Sequence, residues 1–452
     1  MRLSRVLATA TGIALATMLV LTGAANAGTT KMVKDVSGSA TPSFLTPYLG
    51  KVFYSAETPA KGRELWKSDG TAKGTKVVRD IWPGTGSSDP REFTVVNGIL
   101  YFTAQRPSEG RELWRTNGTT KGTWRVKDIN TGPAGSDPYS LTRVGKKLFF
   151  AARHPTKGHE LFVSNGKKTG TRLVRNVVAG AGDAHISTIM ALGQKAVFVA
   201  DVPGLGREPW ISDGSYGGTK LLKDIVPGPG GSDADDFVRV GDKLYFGAIK
   251  PATGWELFKT NGKTYGTRMV RDIIVGPDSS GALPMAGLGG KLYFRAATVS
   301  TGKELWKSDG TRVGTRLVRN IATGPLSSGP QGITRVGDRV FFSAWTPTAG
   351  WEPWKSNGTY SGTKLVRNIA PGANNSDPFA LTAVGTAVFF SADEPTGGRE
   401  LWKSTGSGTW RVANIRAGSA GSYPGWLTKV GKRLFFSADD GVHGRELWMW
   451  KP

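Results

Sequence analysis

One motif returns at a fixed pitch along this chain, and that constrains the fold more than any other feature. The glutamate of GRELWKSDGT (62–71) recurs at Glu64, Glu112, Glu160, Glu208, Glu256, Glu304, Glu352, Glu400 and Glu446, at seven intervals of 48 residues and a last one of 46. Periods of this size mark solenoids, propellers or arrays, whose units cannot bury their apolar faces alone. Each unit reads as four short strands. The first resembles SLTRVG (140–145), the second is an aromatic run such as KLYF (243–246), the third carries RELW, and the fourth resembles TKVVRDI (75–81). β-branched and aromatic residues fill these segments, and Gly, Pro, Asn, Asp and Ser punctuate them. The second strand is apolar on successive residues, so both of its faces must be buried. Four-stranded units of this length, packed between neighbours, describe propeller blades.

The ends of the repeat array predict closure. TKMVKDV (30–36) is a fourth strand without its first three, and the last three strands, WLTKVG, RLFFSAD and RELWMW, lack a fourth. The expected fold is all-β: a single β-propeller of nine four-stranded blades, its ring closed by pairing the N-terminal strand with three C-terminal strands. Eight blades is the alternative, because propellers usually have four to eight.

ELWKSDGT stands unaltered at 64–71 and 304–311, with close variants ELWRTNGT (112–119) and EPWKSNGT (352–359). These residues resemble the bacterial ELWxxDGT-repeat family. The resemblance covers nearly all of the chain after residue 27. It implies an exported repeat protein of unassigned activity and brings no catalytic residues with it. The copy at Glu400 departs from the pattern: Thr405 replaces the Asp/Asn, and two residues are missing.

Residues 1–27 read as a signal peptide ahead of a propeller domain spanning 28–452. Arg2 and Arg5 precede an apolar run over 6–21, and Ala25-Asn26-Ala27 fits the small-x-small cleavage rule. No other stretch approaches a transmembrane length. The expected location is extracellular, with the periplasm or the cell wall as alternatives. The absence of cysteine excludes disulfides, thiolate metal sites and a Cys nucleophile.

Several repeated residues have a structural reading. Asp69-Gly70, Asn117-Gly118 and their equivalents suit the turn between third and fourth strands, as residue types that tolerate positive φ. A hairpin symmetric about this turn places Lys67 opposite Lys76, Trp66 opposite Val77 and Glu64 opposite Arg79, a cross-strand ion pair. By the same register Lys34 should face Glu446 across the closing blade, and Glu400, opposite Ala413, should lack a partner. The motif aromatics, such as Trp66 and Trp114, should fill the space between blades.

Function in a repeat protein lies in departures from the repeat. The loops joining fourth to next first strands share a face with those joining second to third strands, and this is the expected working surface. The residue before each motif glutamate is Arg63, Arg111, His159, Arg207, Trp255, Lys303, Trp351, Arg399 or Arg445, and Trp345 stands beside Trp351 in one loop. Cations interleaved with flat aromatics suit an anionic glycan, with Trp faces stacking on sugars and Arg forks binding carboxylate or phosphate. His154, His159, His185 and His443 also fall on this face, without a metal-binding spacing, so no metal and no cofactor is expected.

Lys and Arg number 59 against 35 Asp and Glu; loss of Arg2 and Arg5 with the leader leaves 57 against 35, a net charge of +22. That favours partners with negative surfaces. No nucleic-acid-binding module appears, so nucleic acid is not an expected partner, and a monomer is expected. The first reading is therefore an exported, non-catalytic binding or scaffold protein that engages acidic glycans or cell-envelope polymers. A polysaccharide hydrolase or lyase at the channel mouth is one alternative, with Glu92, Asp183, Asp235 and Asp236 as carboxylates off the repeat. A protein-docking platform is the other. No catalytic motif or acid–base pair is recognisable.

Overall fold

The computed structural model describes residues 28–36 and 38–452; the expected leader lies outside the described residues. The described residues form nine sheets of four antiparallel strands each. The N-terminal strand β1 (Thr29–Lys34) belongs to the last sheet, and the first complete sheet is β2 (Ser43–Tyr48), β3 (Lys51–Thr58), β4 (Gly62–Ser68) and β5 (Lys76–Arg79). Among the described residues the only helical element is a single 3-10 turn at Thr264–Gly266. The first strand of every blade packs against the first strands of its two neighbours, which makes these strands the wall of a central channel. Strand β2 meets Gly425–Val430 in the same way, so the ring is closed. Threonine hydroxyls bridge successive first strands: Thr94 donates to Leu141 O at 2.8 Å, Thr334 to Leu381 O at 2.8 Å, and Thr428 to Leu45 O at 3.0 Å across the closure. Within the closing blade β1 pairs with Arg445–Lys451.

Packing follows the sequence pattern. Residues 52–56 of β3 are buried without interruption, as a strand covered on both faces requires. Trp66 packs against Val430, Phe435 and Leu447 of the closing blade, and Trp114 against Tyr48, Phe53 and Leu65 of the first. Each motif Trp therefore wedges its blade against the one before it.

The turn motif is a hydrogen-bonded unit. The Asp69 carboxylate accepts from the Thr71 N–H at 3.0 Å and from its hydroxyl at 2.7 Å, while the Ser68 and Thr75 hydroxyls meet at 2.7 Å. Gly70 has φ +89°, and a Cβ on Gly74 would overlap the Asp69 carboxylate, so both glycines are required.

The expected glutamate ion pair does not form. Lys67 faces Lys76 and Trp66 faces Val77, but Arg79 lies opposite Leu65, because a bulge takes up Val78. Val78 turns into the core, which shifts Arg79 one position along the strand. Lys34 likewise lies opposite Leu447 and not Glu446, with the same irregularity between Met32 and Lys34. The cations reach the next blade instead: Arg175 donates to Thr219 O at 2.6 Å, Arg271 to Thr315 O at 2.6 Å, and Lys34 to Thr75 O at 3.4 Å. Arg79 donates to Thr123 O in the same manner.

The glutamates are buried, each 0–1% exposed, and their partners are backbone amides. The Glu64 carboxylate accepts from the N–H of Ile81 at 2.9 Å, the N–H of Trp82 at 3.0 Å and the Ser88 hydroxyl at 2.7 Å. Glu304 accepts from Ile321, Ala322 and Ser328. Glu400, expected to stand alone, has the same set in Ile415, Arg416 and Ser422. Glu446 reaches past the closing strand to the N–H groups of Val36 and Ala40. Each carboxylate thus ties its third strand to the segment entering the next blade.

Replacing Glu304 by Ala leaves four buried donors unpaired, the N–H groups of Ile321, Ala322 and Ser328 and the Ser328 hydroxyl, at about 1–3 kcal/mol for each that finds no new partner. Glu304→Ala is expected to lower stability by about 3 kcal/mol or more in denaturant unfolding; a loss below about 1 kcal/mol would contradict the role assigned to the carboxylate. Burial pushes these carboxyls up, against the pull of their hydrogen bonds, and takes Glu112, Glu160 and Glu446 to about 7. Glu160 and Glu446 have Ala184 and Ala40 where the other blades supply serine, so they have one donor fewer. A folded-state pKa above the unfolded one means that the folded form holds the extra proton. The stability from these groups is complete below the ordinary carboxyl range and is lost as pH rises toward 7. The melting temperature should therefore fall between pH 5 and pH 8 (roughly the window those shifts span), and Glu160→Gln should flatten that slope. A melting temperature that rises across the window would contradict it.

Candidate functional site

The column read from the sequence sits on the expected face, but as a clamp within each blade. Arg63 donates to Thr41 O at 3.1 Å, Arg111 to Asp89 O at 2.8 Å, Arg207 to the Ser187 hydroxyl at 2.7 Å, Arg399 to Asp377 O at 3.0 Å and Arg445 to Tyr423 O at 2.9 Å. Each of these acceptors lies at the entry to the first strand of the same blade. The column is half-buried throughout except for Lys303, which is exposed. Trp255 donates its indole N–H to Ala282 O at 3.0 Å, Trp351 pairs across its hairpin with Trp345, and the Trp351 ring lies against Gly329. His159 faces Asp183, with 3.3 Å between Nδ1 and the carboxylate. His154 turns to Thr156 and His443 to Asp440, while His159 and His185 both act on the Asp183 carboxylate. Among the described residues no group of three His, Asp or Glu is placed to hold a metal ion.

The residues that vary most face the channel instead. The second residue of eight first strands has positive φ: Phe44, Glu92, Ser140, Thr188, Asp236, Gly332, Ala380 and Trp426, with φ between 48° and 62°. Pro284 occupies the ninth position, and there the irregularity moves on by one residue. Left-handed backbone in a bulky residue costs about 1–3 kcal/mol and persists only where the surroundings impose it. Here the bulge imposes it, and bulges re-aim side chains. One backbone conformation therefore presents unrelated side chains around the channel mouth.

Two sectors of that mouth differ in character. In the first, Phe44 and Trp426 stand 4.8 Å apart, centroid to centroid, and Phe93 meets Phe44 edge-on at 6.5 Å. Trp426 is 47% and Phe379 66% exposed, far more than the tryptophans of the loop column. With Arg63, Arg91 and Arg445 the rings of Phe44, Phe379 and Trp426 line a cavity of about 880 Å³. Asp89 is the one carboxylate there, and Arg91 and Arg111 both bind it. Arg445 uses only Nη1 on protein acceptors, so the rest of its fork can serve a ligand. The second sector is acidic. Asp235 accepts from the Thr188 hydroxyl at 2.8 Å; the neighbouring Asp236 carboxyl is pushed up by burial and by the Asp235 charge. Glu92 is exposed and accepts from Leu141 N at 3.3 Å.

Trp426 and Phe44 were not singled out from the sequence; the signal that could have found them is their departure from the repeat, since Ser140 and Thr188 hold the equivalent positions. Periodicity alone could not show that the bulge turns this position toward the channel.

No protein-family model matches the sequence, and no curated protein matches it. Solved structures are similar to the chain at low identity. The computationally designed Ika8 protein is 13% identical, with 81% of this chain and 96% of that chain covered and a TM-score of 0.44. A puromycin-hydrolyzing peptidase of Mycobacterium tuberculosis is 12% identical, with 77% and 57% covered and a TM-score of 0.42. The β-propeller domain of the Trilobed protease from Pyrococcus furiosus is 12% identical, with 72% and 97% covered and a TM-score of 0.35. The chain thus spans little more than half the length of the peptidase. At these identities and TM-scores the likeness carries nothing about the site or its chemistry.

The clamp makes a stability claim. Arg111→Ala removes bonds to Asp89 and Thr103 from a side chain that is 12% exposed, and is expected to cost about 2 kcal/mol. Thermal unfolding measures this, and an unchanged melting temperature would make the column a free surface after all.

Proposed function

We propose that the protein is a non-catalytic binding protein for acidic glycans or envelope polymers, exported as its N-terminal residues predict. Recognition takes place at the channel mouth on the face of the long loops. The observation that carries this reading is the cavity where Arg63, Arg91 and Arg445 meet the half-buried ring of Phe44 and the exposed rings of Phe379 and Trp426. Guanidinium forks match carboxylate and phosphodiester oxygens. Flat aromatic faces accept the C–H faces of sugar rings and bury apolar area at little entropic cost. The ELWxxDGT-like motif fits the reading, since a repeat scaffold supplies rigidity and leaves specificity to a few varied positions.

Co-sedimentation with insoluble polygalacturonate and with cell walls bearing teichoic acid, across a salt series, tests it. Binding should weaken steeply as salt rises, because exposed charge attraction is screened. Trp426→Ala should weaken binding by about 3- to 10-fold, and Arg445→Ala should reduce both affinity and salt sensitivity. Binding untouched by both changes would remove the mouth as the site. Release of reducing ends would favour the hydrolase alternative, for which Glu92 and Asp236 are the exposed carboxylates at the mouth.

A further inference from the structure

The repeat breaks at the seam between the eighth blade and the closing one, and a buried cation is left there without an acceptor. In other blades the motif Lys or Arg after the motif aromatic donates to a glycine carbonyl in the next blade's turn. Lys67 reaches Gly118 O at 2.6 Å, Arg115 Gly166 O at 3.0 Å, Lys259 Gly310 O at 2.6 Å, and Lys307 Gly358 O at 2.5 Å. Lys403 holds this position in the eighth blade, beside the shortened turn with Thr405. It is 7% exposed and, among the described residues, has neither a hydrogen bond to a protein acceptor nor an ion pair. Three rings surround its ammonium: Trp450 at 4.9 Å, Trp410 at 5.3 Å and Phe389 at 5.6 Å. Ring faces replace part of the lost hydration of a cation but leave its N–H groups unpaired. Burial accordingly lowers the Lys403 pKa.

This ammonium lines a cavity of about 830 Å³ on the face opposite the channel-mouth loops. Lys429 and Lys432 line it too, Trp410 forms part of its wall and Pro452, the last residue, stands at it, while among the described residues no Asp or Glu does. Three cations, one of them desolvated and unpaired, call for an anion, and the partly exposed indole calls for a flat or ring-shaped body beside it. We propose that this seam cavity is a second binding site, for a carboxylated sugar unit whose carboxylate pairs with Lys403 and whose ring stacks on Trp410. The site shares no residue with the channel mouth and stands or falls independently of it.

Fluorine NMR of the full chain labelled with 5-fluorotryptophan, titrated with digalacturonate, reads the two sites separately. The Trp410 resonance, assigned with Trp410→Phe, should shift in a saturable way, whatever the Trp426 resonance does. Lys403→Met, which keeps the side-chain volume, should weaken the titration seen at Trp410 by about tenfold or more. The fluorotryptophan resonances remote from the seam, such as those of Trp114, Trp210 and Trp306, should hold their positions, which shows that the variant is folded. Galactobiose, the neutral counterpart, should leave the Trp410 resonance in place. A Trp410 resonance that does not move at millimolar digalacturonate, or that moves equally in Lys403→Met, overturns the proposal. An equal response to inorganic sulfate at the same concentration overturns the sugar part of it.

Discussion

The buried glutamate of each blade is the interaction on which the ring depends. A carboxylate at 0–1% exposure is costly unless its oxygens are satisfied. Here the donors are the backbone amides of the segment that leaves one blade and enters the next. A third strand cannot shift along its neighbours without unpairing that carboxylate. Repeated around the circle, and completed by Glu446 with Val36 and Ala40, the knot sets one blade-to-blade geometry. The motif Trp then fills the wedge that this geometry leaves, and cations from one blade stitch to carbonyls of the next. This last arrangement bears on the net charge. Several of the excess cations are satisfied by carbonyl dipoles and need no carboxylate partner, so the positive surplus belongs partly to the way the ring is sewn together.

Such a scaffold separates structure from specificity. The positions that hold the ring repeat almost unchanged. The second residue of each first strand is fixed in backbone by a bulge and unconstrained in side chain, so the channel mouth carries aromatic, acidic, hydroxyl and small residues in one circle. The seam is the other place where the repeat relaxes: the shortened turn beside Thr405 still accepts from Lys355 at Gly406 O, and the stitching stops at Lys403, which faces the composite closing blade. Both candidate sites are therefore breaks in symmetry, which a ring of identical blades needs if it is to recognise anything at one place.

Much of this was legible from the residues. The 48-residue period, the four strands per unit, the doubly buried aromatic strand and the complementary chain ends lead directly to nine closed blades. The partner of the glutamate was not legible. Hairpin symmetry pointed to Arg79 because it ignored the bulge at Val78, and the true partners are amides 17 and 18 residues downstream. Amides exist at every position and leave no mark in a sequence. The cationic column before each glutamate was read as outward-facing for a related reason. Its acceptors are mostly carbonyls and hydroxyls at the entry to the first strand, and only Lys303 is left exposed. Trp426 was missed although it departs from Ser140, Thr188 and Ala380 at the equivalent positions, because its exposure comes from a backbone conformation that the periodic pattern does not reveal.

The most direct test of the account is a crystal structure of the protein soaked with an acidic oligosaccharide, read for where the sugar sits. The account predicts a sugar ring against the Trp426 face at the channel mouth, its carboxylate within hydrogen-bonding distance of Arg445. Density confined to the outer loops around Trp255 and Trp351, with an empty mouth, would contradict it.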